Sequence, residues 1–239
     1  MVMIDFMERL LMISAEAESL FSDKNRPYER GLKELLFKMI EDAEFLFGPR
    51  DRSYELLEPR ITEASVATPI TYPFRKIRIY LTSNAKTARY MAAYELSHEA
   101  IHVLSPLPYG EAATVLEEGL ATYFSFRCVK SIYGVQFETT GWRHYDAAFR
   151  AVSTLLARNE FVIKELRVRQ PVISKIDVKL LVDVAGIDLE LAKFLCRDFV
   201  KYSRPPVPWS ARATQHAQLF ARGLQSFWDQ WSSESKAAK

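Results

Sequence analysis

The chain has 239 residues, of which 49% are hydrophobic, and its net charge at pH 7 is +2. This length suits one enzyme-sized domain, or a catalytic domain with a smaller helical companion. The basic residues are scattered along the chain instead of forming a stripe, so the charge pattern gives no indication of a nucleic-acid partner. Glycine is scarce, with eight residues, which is typical of a compact, helix-rich protein.

The N-terminal region predicts two helices. Residues 1–21 have an apolar stripe interrupted by acidic residues, which favours an amphipathic helix over a signal peptide. A second helix is predicted from Pro27 to Phe47, where Gly48 and Pro49 end it. No stretch approaches the length of apolar sequence that a membrane span needs. We therefore expect a cytoplasmic protein with a helical hairpin at its start.

The next region predicts a small amount of β-structure. Prolines interrupt residues 50–73, although 61–67 could form a short strand. Residues 74–82 alternate clearly between apolar and basic or aromatic side chains and predict a strand. This strand could present an open edge to an extended peptide, or it could be internal with its basic face in solvent. The pattern alone leaves both interpretations open.

A helix is predicted immediately after this strand. Ser83 or Asn84 can cap a run rich in Ala, Leu, Met and Glu, and prolines follow soon after Leu104. Within this run His98, Glu99 and His102 form the motif H-E-x-x-H. On a helix the two histidines lie one turn apart on one face, so both imidazoles can reach the same ion.

The motif predicts a zinc site. Tetrahedral zinc with two imidazole ligands needs a third protein ligand, and Glu118 can supply it from a second predicted helix, Glu111 to Tyr133. A water in the fourth position would then be activated by zinc, with Glu99 as general base. The competing interpretation is two surface histidines on an ordinary amphipathic helix.

Together, H-E-x-x-H and the later E-G-L-A sequence that begins at Glu118 resemble the zincin metallopeptidases. The closest branch is that of the gluzincins, which includes thermolysin-like and aminopeptidase-like enzymes. The resemblance covers about residues 75–134 and implies a zincin-like core. It implies His98, His102 and Glu118 as zinc ligands, and Glu99 as general base and acid.

The chain also departs from this family pattern. Thermolysin-like enzymes have an Asp one turn after the Glu ligand to orient the first histidine, whereas this chain has Thr122 there. Glu95, one turn before His98, is a candidate for the orienting group, although the pattern favours a solvated glutamate on the helix face. Glu117 is the rival to Glu118 as third ligand.

A peptidase also needs a donor that stabilises the oxyanion of the tetrahedral intermediate. Tyr or His usually fills this role in the family. The best candidate is His144, followed by Tyr123. The wider set of candidates also includes Tyr133, Arg143 and Tyr145.

The C-terminal hundred residues are predicted to be helical. The helices are predicted over 145–158, 160–168, 174–185, 188–202 and 209–231. The two predicted helices on either side of Gly186 superficially resemble a helix-turn-helix. Asp188 and Glu190 would repel phosphates, however, so the pattern favours an ordinary helical hairpin. The spacing of the two cysteines, Cys128 and Cys196, indicates neither a disulfide framework nor a metal site, so we expect reduced thiols.

The sequence therefore predicts a predominantly helical α+β protein. We expect an N-terminal hairpin over 1–49, a zincin-like catalytic core over 50–140 and a helical region over 141–239, packed as one unit. The predicted function is a zinc peptidase acting on a peptide or protein, with no nucleic-acid or membrane partner. The alternative is a non-catalytic zinc-binding interaction protein, whose site would recruit a fourth ligand such as His144 or Asp146. A metal-sensing regulator is a third possibility.

Overall fold

A computed structural model describes residues 28–63, 68–72, 75–108 and 111–200. This part of the chain is mainly helical, with one small sheet, in agreement with the predicted α+β class. The predicted helices over 1–21 and 209–231, and most of the predicted strand over 61–67, lie outside the described residues. The helices are α1 (Tyr28–Phe47), α2 (Asn84–Thr87), α3 (Arg89–Leu104), α4 (Val115–Tyr133), α5 (Arg143–Arg158), α6 (Val162–Arg169), α7 (Val178–Ala185) and α8 (Leu189–Leu195). The strands are β1 (Glu55–Leu56), β2 (Arg60–Ile61), β3 (Thr68–Tyr72) and β4 (Lys76–Leu81), and a 3-10 turn spans Ile173–Lys175.

Helix α1 confirms the second predicted helix almost to the residue. Leu32, Leu35 and Met39 of its apolar stripe are fully buried, as helical periodicity requires of a stripe that faces the core. The helix ends before Gly48, whose φ of +94° is a conformation that glycine adopts without strain.

Strand β4 is internal, so the interpretation as an open edge was wrong. Its alternating Ile77, Ile79 and Leu81 are buried, as predicted. β3 pairs antiparallel along one edge of β4, from Lys76 to Tyr80. β1 and β2 both pair with β4 in the parallel sense, β1 at the start of β4 and β2 at its end. Because β3 occupies one edge of β4, these two short strands share the opposite edge.

The turn after β4 differs from the prediction. The predicted single helix is divided into α2 and α3 by Ala88, whose backbone is extended. Ser83 makes no capping hydrogen bond through its side chain. The end of β4 is instead tied to α3 by Glu95, which accepts hydrogen bonds from Thr82 N at 2.8 Å and Thr82 Oγ1 at 2.5 Å.

Helix α4 begins later than predicted, at Val115 instead of Glu111. Thr114 caps it, accepting a hydrogen bond from the backbone N–H of Glu117. Glu118 consequently lies in the first turn of the helix, not deep within it. The helix ends at Gly134, which has a φ of +68°.

Among the C-terminal elements, α5 and α6 match the predicted helices over 145–158 and 160–168 to within two residues, whereas the next two are shorter or more broken than predicted. The predicted helix over 174–185 consists of the 3-10 turn and the separate helix α7. The predicted helix over 188–202 reaches only Leu195 as α8. α7 and α8 are joined through Gly186 and pack on each other, which matches the predicted helical hairpin.

One hydrophobic core joins the helices and β4. Its buried side chains form a single cluster that includes residues from Leu32 in α1 to Phe199, after α8. None of the helices in the described ranges is long and apolar enough to cross a membrane. The cytoplasmic location and the division into three regions stay predictions.

Candidate metal centre

The H-E-x-x-H motif lies in the middle of α3, which is buried along most of its length. Buried positions of α3 occur on every side of the helix, from Met91 to Leu104. The helix packs against both α1 and α4, so it has little face left for solvent. Polar side chains in such a helix need partners inside the protein, because water does not reach them freely.

Glu118 reaches both motif histidines from the first turn of α4. Its Oε2 lies 3.3 Å from Nε2 of His98, and its Oε1 lies 3.7 Å from Nε2 of His102. One donor atom from each of the three side chains lies within 4.8 Å of the other two. Donor atoms at about 2.0–2.2 Å from one tetrahedral zinc would be about 3.4 Å apart. The three predicted ligands are thus brought together at a spacing that suits a single ion.

Several polar atoms of this cluster are buried without a hydrogen-bond partner. They are Nδ1 of His98, Oε2 of Glu99 and Oε2 of Glu118. Nε2 of His98 lies 3.3 Å from Oε2 of Glu118, but the two groups are not oriented for a hydrogen bond. Buried carboxylate oxygens without donors are rare in proteins. A cation would give Glu118 Oε2 the partner it lacks, so the residues present fit a zinc ion.

The electrostatics of the cluster also favour a bound cation. Burial by itself lowers the pKa of His102, but the nearby carboxylates, Glu118 foremost, outweigh it and raise that pKa to about 10. Burial raises the pKa of Glu118, yet the neighbouring His102 and His98 more than offset it and leave that pKa below its ordinary value. In the absence of a metal the site therefore holds a proton tightly, as expected for a pocket with excess negative charge.

Glu99 is the most enclosed of the motif residues. Its side chain is 3% exposed, and burial raises the pKa of its carboxyl group, although His102 and His98 partly oppose the shift. It lies close enough to both histidines and to Glu118 to interact with their charges. A carboxylate in this setting can accept a proton and return it.

Glu117 contacts the far nitrogen of His102 and does not belong to the three-donor cluster. Its Oε1 lies 2.8 Å from Nδ1 of His102, and its Oε2 accepts a hydrogen bond from Ser174. This carboxylate is almost fully buried, at 1% exposure. A carboxylate on Nδ1 fixes the tautomer that leaves Nε2 free to bind a metal. The structure thus places the rival ligand behind His102 as an orienting group.

The two residues expected to orient His98 have other partners. Glu95 is engaged with Thr82 at the end of β4. The hydroxyl of Thr122 donates a hydrogen bond to the backbone carbonyl of Glu118. Neither side chain makes the predicted hydrogen bond to His98, because nearer backbone and hydroxyl groups satisfy them first.

Aromatic side chains surround His98. Tyr94 and Tyr145 place their ring centroids 6.3 Å and 6.1 Å from its imidazole. Burial raises the pKa of Tyr145, and the charge of Glu118 adds to this effect. The phenol is therefore neutral at physiological pH and remains a hydrogen-bond donor.

The two predicted oxyanion donors lie in different surroundings. A positive charge on His144 would lower the pKa of Glu118, and the ring of His144 packs on Tyr145, so His144 borders the site. The hydroxyl of Tyr123 accepts a hydrogen bond of 2.9 Å from Arg127, which also pairs with Glu160. Tyr123 is thus held in a separate polar cluster on α4.

Comparison of the chain with family models, with curated proteins and with solved structures gave no match in any of the three. What the site can do is therefore inferred from its own geometry.

Two residues near the site were not singled out by the sequence. Tyr145 appeared only as a member of the Arg143–Tyr145 cluster, where periodicity could not tell which ring faces the histidines. Ser174 carried no signal at all, because it lies in a short turn far along the chain. Thr114 and Glu117, in contrast, do form a readable pattern, T-x-x-E, which is typical of a helix start.

Proposed function

We propose that this protein is a zinc-dependent metallopeptidase with a zincin-like core. The observation that carries the proposal is the buried carboxylate of Glu99, which has an unpartnered oxygen beside the three-donor cluster. A purely structural zinc site needs its ligands but gains nothing from a further buried carboxylate, which costs free energy to desolvate. A proton acceptor has to be there if the site hydrolyses peptide bonds.

The roles follow from the positions of the side chains. His98, His102 and Glu118 would hold the ion. When bound, zinc polarises a substrate carbonyl and lowers the pKa of water towards neutrality. Glu99 then takes the proton that the attacking water loses and gives it to the leaving amine. Glu117 keeps His102 in the tautomer that this arrangement requires.

A non-catalytic zinc protein is the second candidate, and it requires a fourth protein ligand. In the described ranges the cluster that could hold a metal has three members only. Asp146, one of the ligands expected for this alternative, is bound to the backbone and hydroxyl of Thr140 and to Thr139. These contacts favour a site with one position left for substrate and water.

Hydrolysis of a peptide library by the zinc-loaded protein tests the proposal. We expect cleavage by the wild type and a loss of at least a hundredfold in kcat for Glu99→Gln, because general acid–base catalysis contributes about 10²–10⁴. Glu99→Gln should retain its zinc. Glu41→Gln makes the same chemical change at an exposed position of α1, away from the site, and serves as the control.

Two results would contradict the proposal. Undiminished hydrolysis by Glu99→Gln would remove the proposed general base. Zinc binding without cleavage of any library peptide by the wild type would favour the non-catalytic zinc protein.

A further inference from the structure

The 3-10 turn Ile173–Lys175 holds the connection between the two helices that carry the metal-binding residues. The backbone N–H of Ile173 donates to Oγ of Ser105, immediately after α3, at 3.1 Å. Lys175 forms an ion pair with Glu111 in the same connection. Ser174, between them, contacts the start of α4. Each of the three consecutive residues of the turn thus bonds to the segment that separates His102 from Glu118.

Ser174 begins a hydrogen-bonded chain that ends on His102. Its hydroxyl accepts a hydrogen bond of 2.9 Å from the backbone N–H of Thr114. The same hydroxyl donates its hydrogen to Oε2 of Glu117. The other oxygen of that carboxylate lies 2.8 Å from Nδ1 of His102. A hydroxyl has one hydrogen and two lone pairs. The hydroxyl of Ser174 therefore accepts from Thr114 with a lone pair and donates its single hydrogen to Glu117.

These hydrogen bonds replace one of the two hydrogen bonds of an ordinary capping box. In a capping box the Glu at the third helical position returns to the backbone N–H of the capping residue. Here Thr114 accepts from the N–H of Glu117 as usual, but Ser174 takes the return hydrogen bond. The carboxylate of Glu117 therefore makes no capping hydrogen bond to its own helix and can face His102 on α3.

We infer that Ser174 is a positioning residue for the metal site, acting on His102 through Glu117. The inference rests on the proposed metal site and adds a role for the 3-10 turn Ile173–Lys175, to which the sequence assigned no chemistry. Without the hydroxyl, Oε2 of Glu117 would lose its donor although the residue is 1% exposed. A buried carboxylate in that state turns towards another donor. His102 would then lose its orienting partner.

Zinc affinity, measured by competition with a chelator, tests this inference. We expect Ser174→Ala to weaken zinc binding about tenfold, at the low end of the effect of residues that support metal ligands. Ser174→Thr keeps the hydroxyl at a half-buried position and should bind zinc like the wild type. Lys175→Met removes the neighbouring ion pair without touching the chain to His102, and serves as the matched control.

A double-mutant cycle separates positioning from a general loss of structure. Glu117→Gln should weaken zinc binding by about 10- to 100-fold. Adding Ser174→Ala to Glu117→Gln should then cost little more, because both changes interrupt one chain. Full additivity of the two effects would overturn the inference, and so would wild-type affinity in Ser174→Ala. If Ser174→Ala does not fold, Ser174→Cys keeps the volume with a weaker donor and should give a smaller loss of affinity in the same direction.

A measurement on the metal-free protein keeps the inference independent of peptidase activity. Nitrogen-15 NMR of the imidazoles should show His102 with a proton on Nδ1 that exchanges slowly with water. That exchange should become faster in Ser174→Ala but not in Lys175→Met. Unchanged exchange in Ser174→Ala would overturn the inference even if zinc binds. Failure of the wild type to bind zinc would instead contradict the proposed function, and the NMR result would still decide the role of Ser174.

Discussion

Among single residues outside the H-E-x-x-H motif, Tyr145 is the strongest candidate for a catalytic role. Its ring packs against the imidazole of His98, and burial keeps its phenol protonated. A neutral phenol beside the proposed metal ligands can donate a hydrogen bond to an oxyanion, as the proposed peptide hydrolysis requires. Tyr123, in contrast, already accepts a hydrogen bond from Arg127.

We therefore predict that Tyr145→Phe lowers kcat about 10²-fold, the loss typical of one oxyanion donor. The measurement is peptide hydrolysis by zinc-loaded protein, with metal content as the test that the site is intact. Tyr123→Phe is the control and should stay close to the wild type. Loss of activity in Tyr123→Phe alone would instead assign the role to Tyr123, which the sequence ranked second to His144.

The residues of the motif could be predicted because their relation is local. H-E-x-x-H places His98 and His102 on one helix face whatever the rest of the chain does. Glu118 required a second helix, but the E-G-L-A resemblance identified it. Ser174 could not be predicted, since its contact with Glu117 spans 57 positions of the chain and no local pattern encodes it.

The approach of α4 to α5 depends on a single residue, Gly119. A Cβ built at this position would lie 2.5 Å from the backbone oxygen of Ala148 and 2.7 Å from Cγ2 of Val152. The nearest atom belongs to a backbone and cannot move aside by rotating a side chain. Because Gly119 is next to Glu118, this close packing also fixes the position of the proposed third ligand.

Gly119→Ala should therefore destabilise the protein by about 1–3 kcal/mol, the usual cost of overpacking a core. Alanine has the higher intrinsic helix propensity, so a loss of stability would show that the contact between helices dominates. Thermal or denaturant unfolding provides the measurement, with Ser131→Ala on the same helix as control. An equal or higher stability of Gly119→Ala would show that α4 and α5 are not this close.

The elements with a strong period were predicted well, and the errors fall where distant contacts override local preference. The apolar stripe of α1 and the alternation of β4 sufficed to identify them. The predicted start of α4 was wrong because the residues just before Val115 pair with the segment after α8, through an antiparallel bridge between Thr114 and Asp198. The N–H of Phe199 donates to the carbonyl of Ala113, and that of Val115 donates to the carbonyl of Arg197. This pairing cannot be read from the composition of either segment.

Across the whole molecule, Arg167 joins the ends of three helices. Its guanidinium donates to backbone carbonyls where α1 ends and where α3 ends, and to one after its own helix α6. The acceptors are the carbonyls of Phe47, Gly48, Pro49, Leu104 and Pro171. The residue is 6% exposed, so these hydrogen bonds satisfy both a buried charge and carbonyls that the helix ends leave unpaired.

Arg167→Met should cost about 3 kcal/mol or more, because each hydrogen bond to a charged group contributes about 1.5–3 kcal/mol and the carbonyls would stay buried. Arg167→Lys should recover only part of this, since an ammonium lacks the planar fork of donors. Arg169→Met, exposed on the same helix, is the control in urea unfolding. Wild-type stability in Arg167→Met would contradict this role.

The central claim is that His98, His102 and Glu118 hold one zinc ion. The most direct test is the metal content of purified protein by mass spectrometry, for the wild type, Glu118→Ala, His98→Ala and Glu99→Gln. We predict one zinc per chain in the wild type and in Glu99→Gln, and none in the two ligand variants. Added zinc should also raise the melting temperature of the wild type, as a ligand of the folded state does. A wild type that contains no zinc and takes none up on reconstitution would contradict the account.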